Sequence, residues 1–112
     1  MPFQLDSPMY YTYVLLSSKD GEWYTGATSD LKARLREHTQ GEVTSTRFRR
    51  PLQLVYYEAC LDAADAYRRE RHLKTGKGKR DLRQRLPGPF PAQAGAGKTW
   101  RAQFSQEKLE RH

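Results

Sequence analysis

Two aromatic and apolar runs, separated by a short polar segment, constrain the fold of this chain more than any other feature. The runs are residues 10–16 and 23–26, and Ser17-Ser18-Lys19-Asp20-Gly21 lies between them. An Asp-Gly pair supplies the positive-φ conformation that tight turns between antiparallel strands require. The segment therefore predicts a β-hairpin. Its tyrosines suit strands in any case, so their presence alone does not show whether they also carry chemistry.

The rest of the chain alternates between helical and strand patterns. Capping residues in Thr28-Ser29-Asp30 precede a helix that Gly41 ends. The later elements are predicted as a polar connection at 42–51, a strand at 52–60, a helix at 62–74, a break at 75–78 and a short helix at 79–86. The order β-β-α-β-α-α predicts an α+β fold, with a small three-stranded, mainly antiparallel sheet flanked by helices.

Size and charge limit the classes of function. A chain of 112 residues forms one small domain, and its net charge of +7 favours an anionic partner. No apolar run approaches the roughly 18 residues that a membrane-spanning helix needs, and Met1 to Pro8 has no secretion-signal pattern. Cys60 is the only cysteine, which fits a reducing compartment, so we expect a cytoplasmic protein.

The composition changes near residue 87. From there the chain is rich in Pro, Gly, Ala and Gln, so we expect a folded domain at 9–86 and a flexible tail at 87–112. Within the tail, AQAGAGKT at 92–99 imitates a phosphate-binding loop, but Ala92 replaces its first glycine and no strand precedes it. We therefore expect no ATP site. The sequence sets no oligomeric state.

Polar residues interrupt the apolar faces of both long helices. Arg34 and His38 share one face of the first helix with Leu31 and Leu35. Glu70 lies in the middle of the inner stripe of the second helix, which consists of Ala63, Ala66, Tyr67, Glu70, Leu73 and Lys74. The exposed side of that helix carries Arg68, Arg69 and Arg71. Polar residues at such positions are expected chiefly at functional sites. Structural alternatives remain for each: an exposed ion pair of Glu70 with Lys74, a snorkelling Arg34, and a His38 that interacts with the helix dipole.

Together these side chains suit the hydrolysis of a phosphodiester. A carboxylate such as Glu70 can hold a divalent metal, and Arg34 can bind the phosphate. His38 or a tyrosine can transfer protons. Magnesium keeps most of its waters and needs few protein ligands, so a single carboxylate is compatible with it. For Glu58, the other acidic residue near this layer, we favour a strand-end or solvent role.

Three motifs resemble the GIY-YIG nuclease superfamily. They are TYV at 12–14 with YTG at 24–26, then ATSDLKARLREH after Gly26, and AYRRERHLK at 66–74. The similarity covers residues 9 to 86 and is greatest with small single-domain bacterial members, the YhbQ-like group, which are related to the N-terminal nuclease domain of UvrC. It implies a DNA endonuclease that depends on Mg²⁺ or Mn²⁺, with a role in DNA repair or processing.

The resemblance also implies the roles of individual residues. Tyr13, Tyr24, Arg34, His38 and Glu70 would be catalytic, with Glu70 as the only protein ligand of the metal. Gly26 would be the motif glycine, and Tyr11 would support the site from the same strand face as Tyr13. Which of the two motif tyrosines activates water stays open. The chain departs from the family pattern at Thr12, which replaces a motif glycine, and by containing no asparagine for the position some members use beyond the glutamate.

Positive charge is concentrated beside the predicted site. Residues 32–50 contain six basic and two acidic residues, and residues 67–86 contain nine and two. We therefore predict nucleic acid, DNA above all, as the partner. The predicted DNA-binding residues are Lys32, Arg36, Arg47, Arg49, Arg50, Lys74, Lys77 and Lys79. Hydroxyls in Thr44-Ser45-Thr46 could reach phosphates as well.

Two alternatives belong to other classes of function. The first is a noncatalytic nucleic-acid-binding module on the same fold. The second is a protein that binds anionic membranes, which is less favoured because no helix has a large apolar face opposite its charges. We therefore expect no membrane partner.

Overall fold

The computed structural model describes residues 8–88. This part of the chain contains three strands, three α-helices and one short 3₁₀ turn. In chain order they are β1 (Tyr10–Ser17), β2 (Trp23–Thr28), α1 (Leu31–Thr39), the 3₁₀ turn (Arg47–Arg49), β3 (Leu52–Cys60), α2 (Ala63–Leu73) and α3 (Gly76–Arg85). The predicted α+β class and the order of elements are confirmed.

The three strands form one antiparallel sheet with β1 in the centre, in the order β2-β1-β3. The predicted hairpin joins β1 to β2. Gly21 takes the positive φ of 72° that its turn requires. The Gly21 N–H donates to the Ser17 carbonyl at 2.8 Å, and the Ser17 N–H donates to the Glu22 carbonyl at 3.0 Å. This turn fixes which residues of β1 and β2 face each other.

Alternation along β1 separates two layers. Val14 packs with Leu73 of α2 and Leu82 of α3 in the main apolar cluster. Thr12 points toward the same layer and donates its hydroxyl to the Ala66 carbonyl at 2.8 Å. Tyr13 lies on the opposite face of the strand, where it contacts His38 of α1. The site residues on β1 and α1 therefore lie across the sheet from the main core.

Both long helices begin at the side chains that cap them. Asp30 accepts a hydrogen bond from the Ala33 N–H at 3.1 Å, and Asp62 accepts one from the Ala64 N–H at 2.9 Å. Such caps satisfy backbone donors that have no partner inside the helix. The predicted bounds of α1 and α2 were right to within a residue.

The start of α3 was predicted wrongly. We expected residues 75–78 to break the chain and the helix to begin at Lys79, but it begins at Gly76. Thr75 caps it by accepting from the Gly78 N–H at 3.0 Å. A side chain at Gly78 would collide with the carbonyl of His72, so this glycine permits close contact between α2 and α3 and does not end a helix.

Most of the predicted tail at 87–112, including the motif at 92–99, lies outside the described residues. Among residues 8–88, no helix has both the length and the apolar character needed to span a bilayer.

Candidate active site

Three aromatic rings from β1, β2 and α1 meet on the α1 side of the sheet. The ring centroids of Tyr13 and Tyr24 are 6.5 Å apart, and His38 lies 5.6 Å from Tyr13 and 5.3 Å from Tyr24. Tyr13 is fully buried, whereas Tyr24 is partly exposed. The structure therefore brings together both motif tyrosines and the helix histidine.

A buried hydrogen-bonded chain runs from Tyr13 through His38 to Thr46. The Tyr13 hydroxyl lies 2.8 Å from His38 Nε2, and His38 Nδ1 lies 2.7 Å from the Thr46 hydroxyl. The guanidinium of Arg34 donates to Glu37 at 2.8 Å, and its nearby positive charge acts to lower the pKa of Tyr13. The two distances at His38 fit either tautomer of a neutral imidazole, with the Tyr13 and Thr46 hydroxyls exchanging donor and acceptor roles.

Thr46 is fully buried and was not predicted to hold His38. We had grouped it with loop hydroxyls that could reach phosphates, and this was wrong. His38 interrupts an apolar face, so a buried partner for it was foreseeable. The sequence did not show which hydroxyl would serve, because the connection that carries Thr46 has no periodic pattern.

Gly26 makes room for the Tyr13 ring. The two residues face each other across β1 and β2. A Cβ at Gly26 would lie 2.6 Å from Cζ of Tyr13 and 2.5 Å from its hydroxyl oxygen. Non-bonded contacts this short do not occur for a real Cβ atom, and Tyr13 is fully buried and cannot move aside freely. The absence of a side chain at the motif glycine therefore makes room for the ring of the motif tyrosine.

The surroundings oppose charge on both Tyr13 and His38. Burial raises the pKa of Tyr13, although the nearby guanidinium of Arg34 opposes that rise. Burial, together with the positive charge of Arg34, lowers the pKa of His38 to about 4. His38 is therefore neutral at pH 7, which does not support a charged imidazole interacting with the dipole of α1.

Arg34 extends from the buried cluster to the protein surface. Its side chain is 36% exposed and forms an ion pair with Glu37 at 2.8 Å. A shallow depression of about 350 Å³ is lined by Arg34, Glu37 and Tyr67 of α2, next to the end of β2. Tyr67 is 50% exposed there, although we had predicted it in the inner stripe of α2. Arg34 is thus reachable by a ligand in this depression.

Glu70 is the residue that the resemblance makes the metal ligand. Its side chain is 21% exposed, and Oε2 lies 3.1 Å from Nζ of Lys74. Its charge is the smallest of the causes that raise the pKa of Tyr13. No group of three or more His, Cys, Asp or Glu within residues 8–88 could hold a metal. A single half-buried carboxylate still fits a magnesium ion that keeps most of its waters.

Glu58 of β3 and Arg69 of α2 form an ion pair that does not include the predicted catalytic residues. Arg69 donates to both carboxylate oxygens of Glu58, at 2.8 and 3.1 Å. Tyr56 donates to the same carboxylate at 2.9 Å. Glu58 lies two residues before the end of β3, and the side chains of Arg69 and Glu58 are 42% and 28% exposed. The expected strand-end position and exposed helix side therefore agree with the structure, but the sequence did not show that the two side chains form an ion pair.

The residues predicted to bind DNA divide into two groups. Three are exposed and form no ion pair within residues 8–88: Lys32, Arg36 and Lys79. Arg47 is also exposed, and its guanidinium lies 4.8 Å from the Phe48 ring centroid. These four side chains are free to meet phosphates. Tyr11, the predicted supporting residue, is partly exposed and lies against Tyr57 of β3.

The other group has partners within the protein. Arg49 donates to Asp20 at 2.7 Å, and Arg50 donates to the carbonyls of Arg47 and Thr39. Lys74 pairs with Glu70, and Lys77 lies 3.4 Å from Asp81. Each of these side chains has at least one donor engaged within the protein, but Lys74 and Lys77 are 54% and 73% exposed and keep further N–H donors for a phosphate.

A three-stranded antiparallel sheet that carries two tyrosines, with an arginine and a glutamate on flanking helices, defines a nuclease-type α+β domain. The profile described as the GIY-YIG catalytic domain matches residues 9–85. The chain therefore belongs to the GIY-YIG family, and the predicted resemblance is confirmed.

The similar proteins include small bacterial ones named UPF0213. One from Desulfotalea psychrophila is 37% identical over 73 residues, which cover 63% of this chain and 66% of that protein. One from Staphylococcus saprophyticus is 36% identical over 75 residues, 66% of this chain and 90% of that protein. A solution NMR structure of a UPF0213 protein from Bacillus halodurans has a TM-score of 0.47 and 34% identity, and covers 75% of this chain and 92% of that one. None of these names states an activity.

Proposed function

We propose that this protein is an endonuclease that depends on a divalent metal and hydrolyses phosphodiester bonds in DNA. The observation that carries the proposal is the cluster of the Tyr13, Tyr24 and His38 rings, with Arg34 one helical turn before His38 and partly exposed at a neighbouring depression. DNA repair or processing in the cytoplasm is part of the same proposal, supported by the family membership and by a chain with a single cysteine.

The two motif tyrosines have different roles in this proposal. Tyr13 is fully buried and its hydroxyl is held by His38, so it orients its neighbours. Tyr24 is partly exposed, and its hydroxyl has no hydrogen-bond partner within residues 8–88. Tyr24 is therefore the better placed of the two to meet the attacking water. His38, which is 1% exposed, acts through Tyr13 as a positioning residue.

Arg34 and Glu70 would stabilise charge on the phosphate. Arg34 is 36% exposed beside Tyr13, where it can donate to a nonbridging oxygen as negative charge develops. Glu70 would hold Mg²⁺ or Mn²⁺ once Lys74 moves aside or turns to a phosphate. The metal, when bound, would polarise the phosphodiester and lower the pKa of a coordinated water.

A plasmid-nicking assay tests this proposal directly. We expect wild-type protein to nick supercoiled DNA in Mg²⁺ or Mn²⁺ and to stop in EDTA. Glu70→Gln keeps the size of the side chain and removes its charge. It should lower the rate at least about 100-fold, as should Arg34→Ala, because each removes a group that stabilises the transition state. Circular dichroism should stay near that of wild type.

Glu42→Gln is the matched control. Glu42 is exposed and lies in the connection after α1, so the same chemical change there should leave nicking intact. Cleavage that survives Glu70→Gln in magnesium would remove Glu70 from the mechanism.

The alternative is a noncatalytic nucleic-acid-binding module. The ion pair of Glu70 with Lys74 favours it, because the proposed metal ligand already has a cation beside it. Binding of duplex, branched or single-stranded DNA without any metal-dependent cleavage would support this alternative.

A further inference from the structure

A second depression lies beside the proposed active site. It has a volume of about 330 Å³ and is lined by Tyr11, Ser29, Asp30, Leu31, Lys32 and Tyr57. Ser29 and Asp30 also line the depression that contains Arg34. The two hollows are therefore neighbours on either side of the start of α1. We call the second one the tyrosine cleft.

The aromatic walls of the tyrosine cleft are accessible. The rings of Tyr11 and Tyr57 have centroids 6.1 Å apart and are tilted by 57°, so they support each other without covering their faces. Tyr57 is 53% exposed. Strand formation explains an aromatic residue on β3, but it does not explain a large ring left in solvent at the rim of a hollow.

One exposed cation in the cleft is available to meet an anion. Lys32 is exposed and forms no ion pair within residues 8–88. Asp30, the one acidic residue in the lining, keeps its negative charge, but its Oδ1 is turned to the Ala33 N–H at 3.1 Å, where it caps α1, and the chain as a whole carries a net charge of +7. A flat apolar wall beside a free cation matches the two parts of a nucleotide, its base and its phosphate.

We propose that the tyrosine cleft binds an unpaired DNA nucleotide next to the scissile phosphate. The base stacks on Tyr57, Tyr11 supports that ring, and Lys32 meets the adjoining phosphate. Bases in a duplex are stacked on one another and do not offer their faces, so the preferred substrate class is single-stranded DNA or a junction with an unpaired strand. The position next to a scissile phosphate rests on the proposed nuclease function. Binding of the nucleotide itself is measurable without cleavage.

The test uses the full chain in EDTA, with fluorescence anisotropy of labelled oligothymidine and of an abasic strand of equal length. The two strands share their phosphates and differ only in their bases. Wild type should bind oligothymidine at least about fivefold more tightly, since one base–aromatic stack contributes that much or more. Tyr57→Leu should remove most of this preference, because leucine keeps an apolar side chain but has no planar face. Tyr57→Phe should keep it.

Titration of wild-type protein with oligothymidine, followed by NMR, provides a measurement that no variant's folding can affect. The ring signals of Tyr57 should shift with oligothymidine and stay in place with the abasic strand. Equal affinity of wild type for the two strands would overturn the proposal. So would a Tyr57→Leu variant that loses affinity for both strands equally, or a Tyr57→Phe variant that loses the preference.

Failure of this inference and failure of the nuclease proposal are distinguishable. Base-dependent binding without cleavage would support the nucleotide-binding role of the tyrosine cleft and refute the nuclease proposal. Metal-dependent nicking without base-dependent binding would support the nuclease proposal and refute the role of the cleft.

Discussion

Removing the hydroxyl of Thr46 should weaken both the fold and the proposed active site. Thr46→Val keeps the shape and volume of the side chain, so it opens no cavity. It deprives His38 Nδ1 of the oxygen that now lies 2.7 Å away. Thr46 is 0% exposed and His38 is 1% exposed, so water cannot take over. A buried polar group left without a partner costs about 1–3 kcal/mol, and we expect a loss of this size in the free energy of unfolding.

Urea unfolding of four proteins isolates the hydrogen bond: wild type, Thr46→Val, His38→Phe and the double variant. If the bond is the cause, Thr46→Val should cost far less in the His38→Phe background, because no imidazole is then left unpaired. An equal cost in both backgrounds would refute the reasoning.

The same substitution should also affect chemistry through Tyr13. With Nδ1 unpaired, the neutral imidazole is no longer fixed in one tautomer, and its contact with Tyr13 loosens. Nitrogen NMR shifts of the His38 ring should show one tautomer in wild type and a mixture in Thr46→Val. The nicking rate should fall in Thr46→Val and be retained in Thr46→Ser, which keeps the hydroxyl. An unchanged tautomer would contradict the proposed positioning role.

Three further predictions concern stability. The pKa of His38 is lowered from 6.5 to about 4, so the folded state prefers the neutral form. The free energy of unfolding should therefore be highest above pH 6.5 and should fall by roughly 3 kcal/mol as the pH drops to about 4. Calorimetry should find this decline absent in His38→Gln. Gly26→Ala should lower the free energy of unfolding by about 1–3 kcal/mol, because the new methyl group overpacks against Tyr13, and it should lower the nicking rate as well. A melting temperature equal to that of wild type would contradict the cross-strand fit. Gly78→Ala should lower the free energy of unfolding by at least as much, because the new methyl group meets the backbone of His72. Denaturant unfolding measures this loss, and an unchanged stability would mean that α2 and α3 can separate freely.

Local chemistry was enough to predict most of the fold. Asp20-Gly21 identified the hairpin, and the bounds of the third strand were right because Leu52–Cys60 forms an unbroken strand pattern. The error at α3 came from reading Gly76 and Gly78 as helix breakers. The cost of glycine in a helix is only about 1 kcal/mol, and close packing on α2 outweighed it.

The candidate site was less accessible from the sequence. The inward positions of Arg34 and His38 followed from helical spacing, but the partner of His38 lies on a connection without a pattern. The donors of Arg49 and Arg50 were counted as free because composition cannot show that turn residues and carbonyls have already engaged them. Tyr67 was placed inside because helical spacing groups it with Ala63 and Ala66, but it lies at the edge of that stripe and is 50% exposed. The catalytic roles themselves stay predictions until cleavage is measured.

The fit between Tyr13 and Gly26 couples two positions of the family motif. A smaller residue at position 13 would leave space beside residue 26, whereas a side chain at residue 26 would overpack the phenol. In a library that randomises codon 26 alone, glycine should therefore be the most enriched residue, whereas randomising both codons should also recover larger residues at 26 paired with smaller ones at 13.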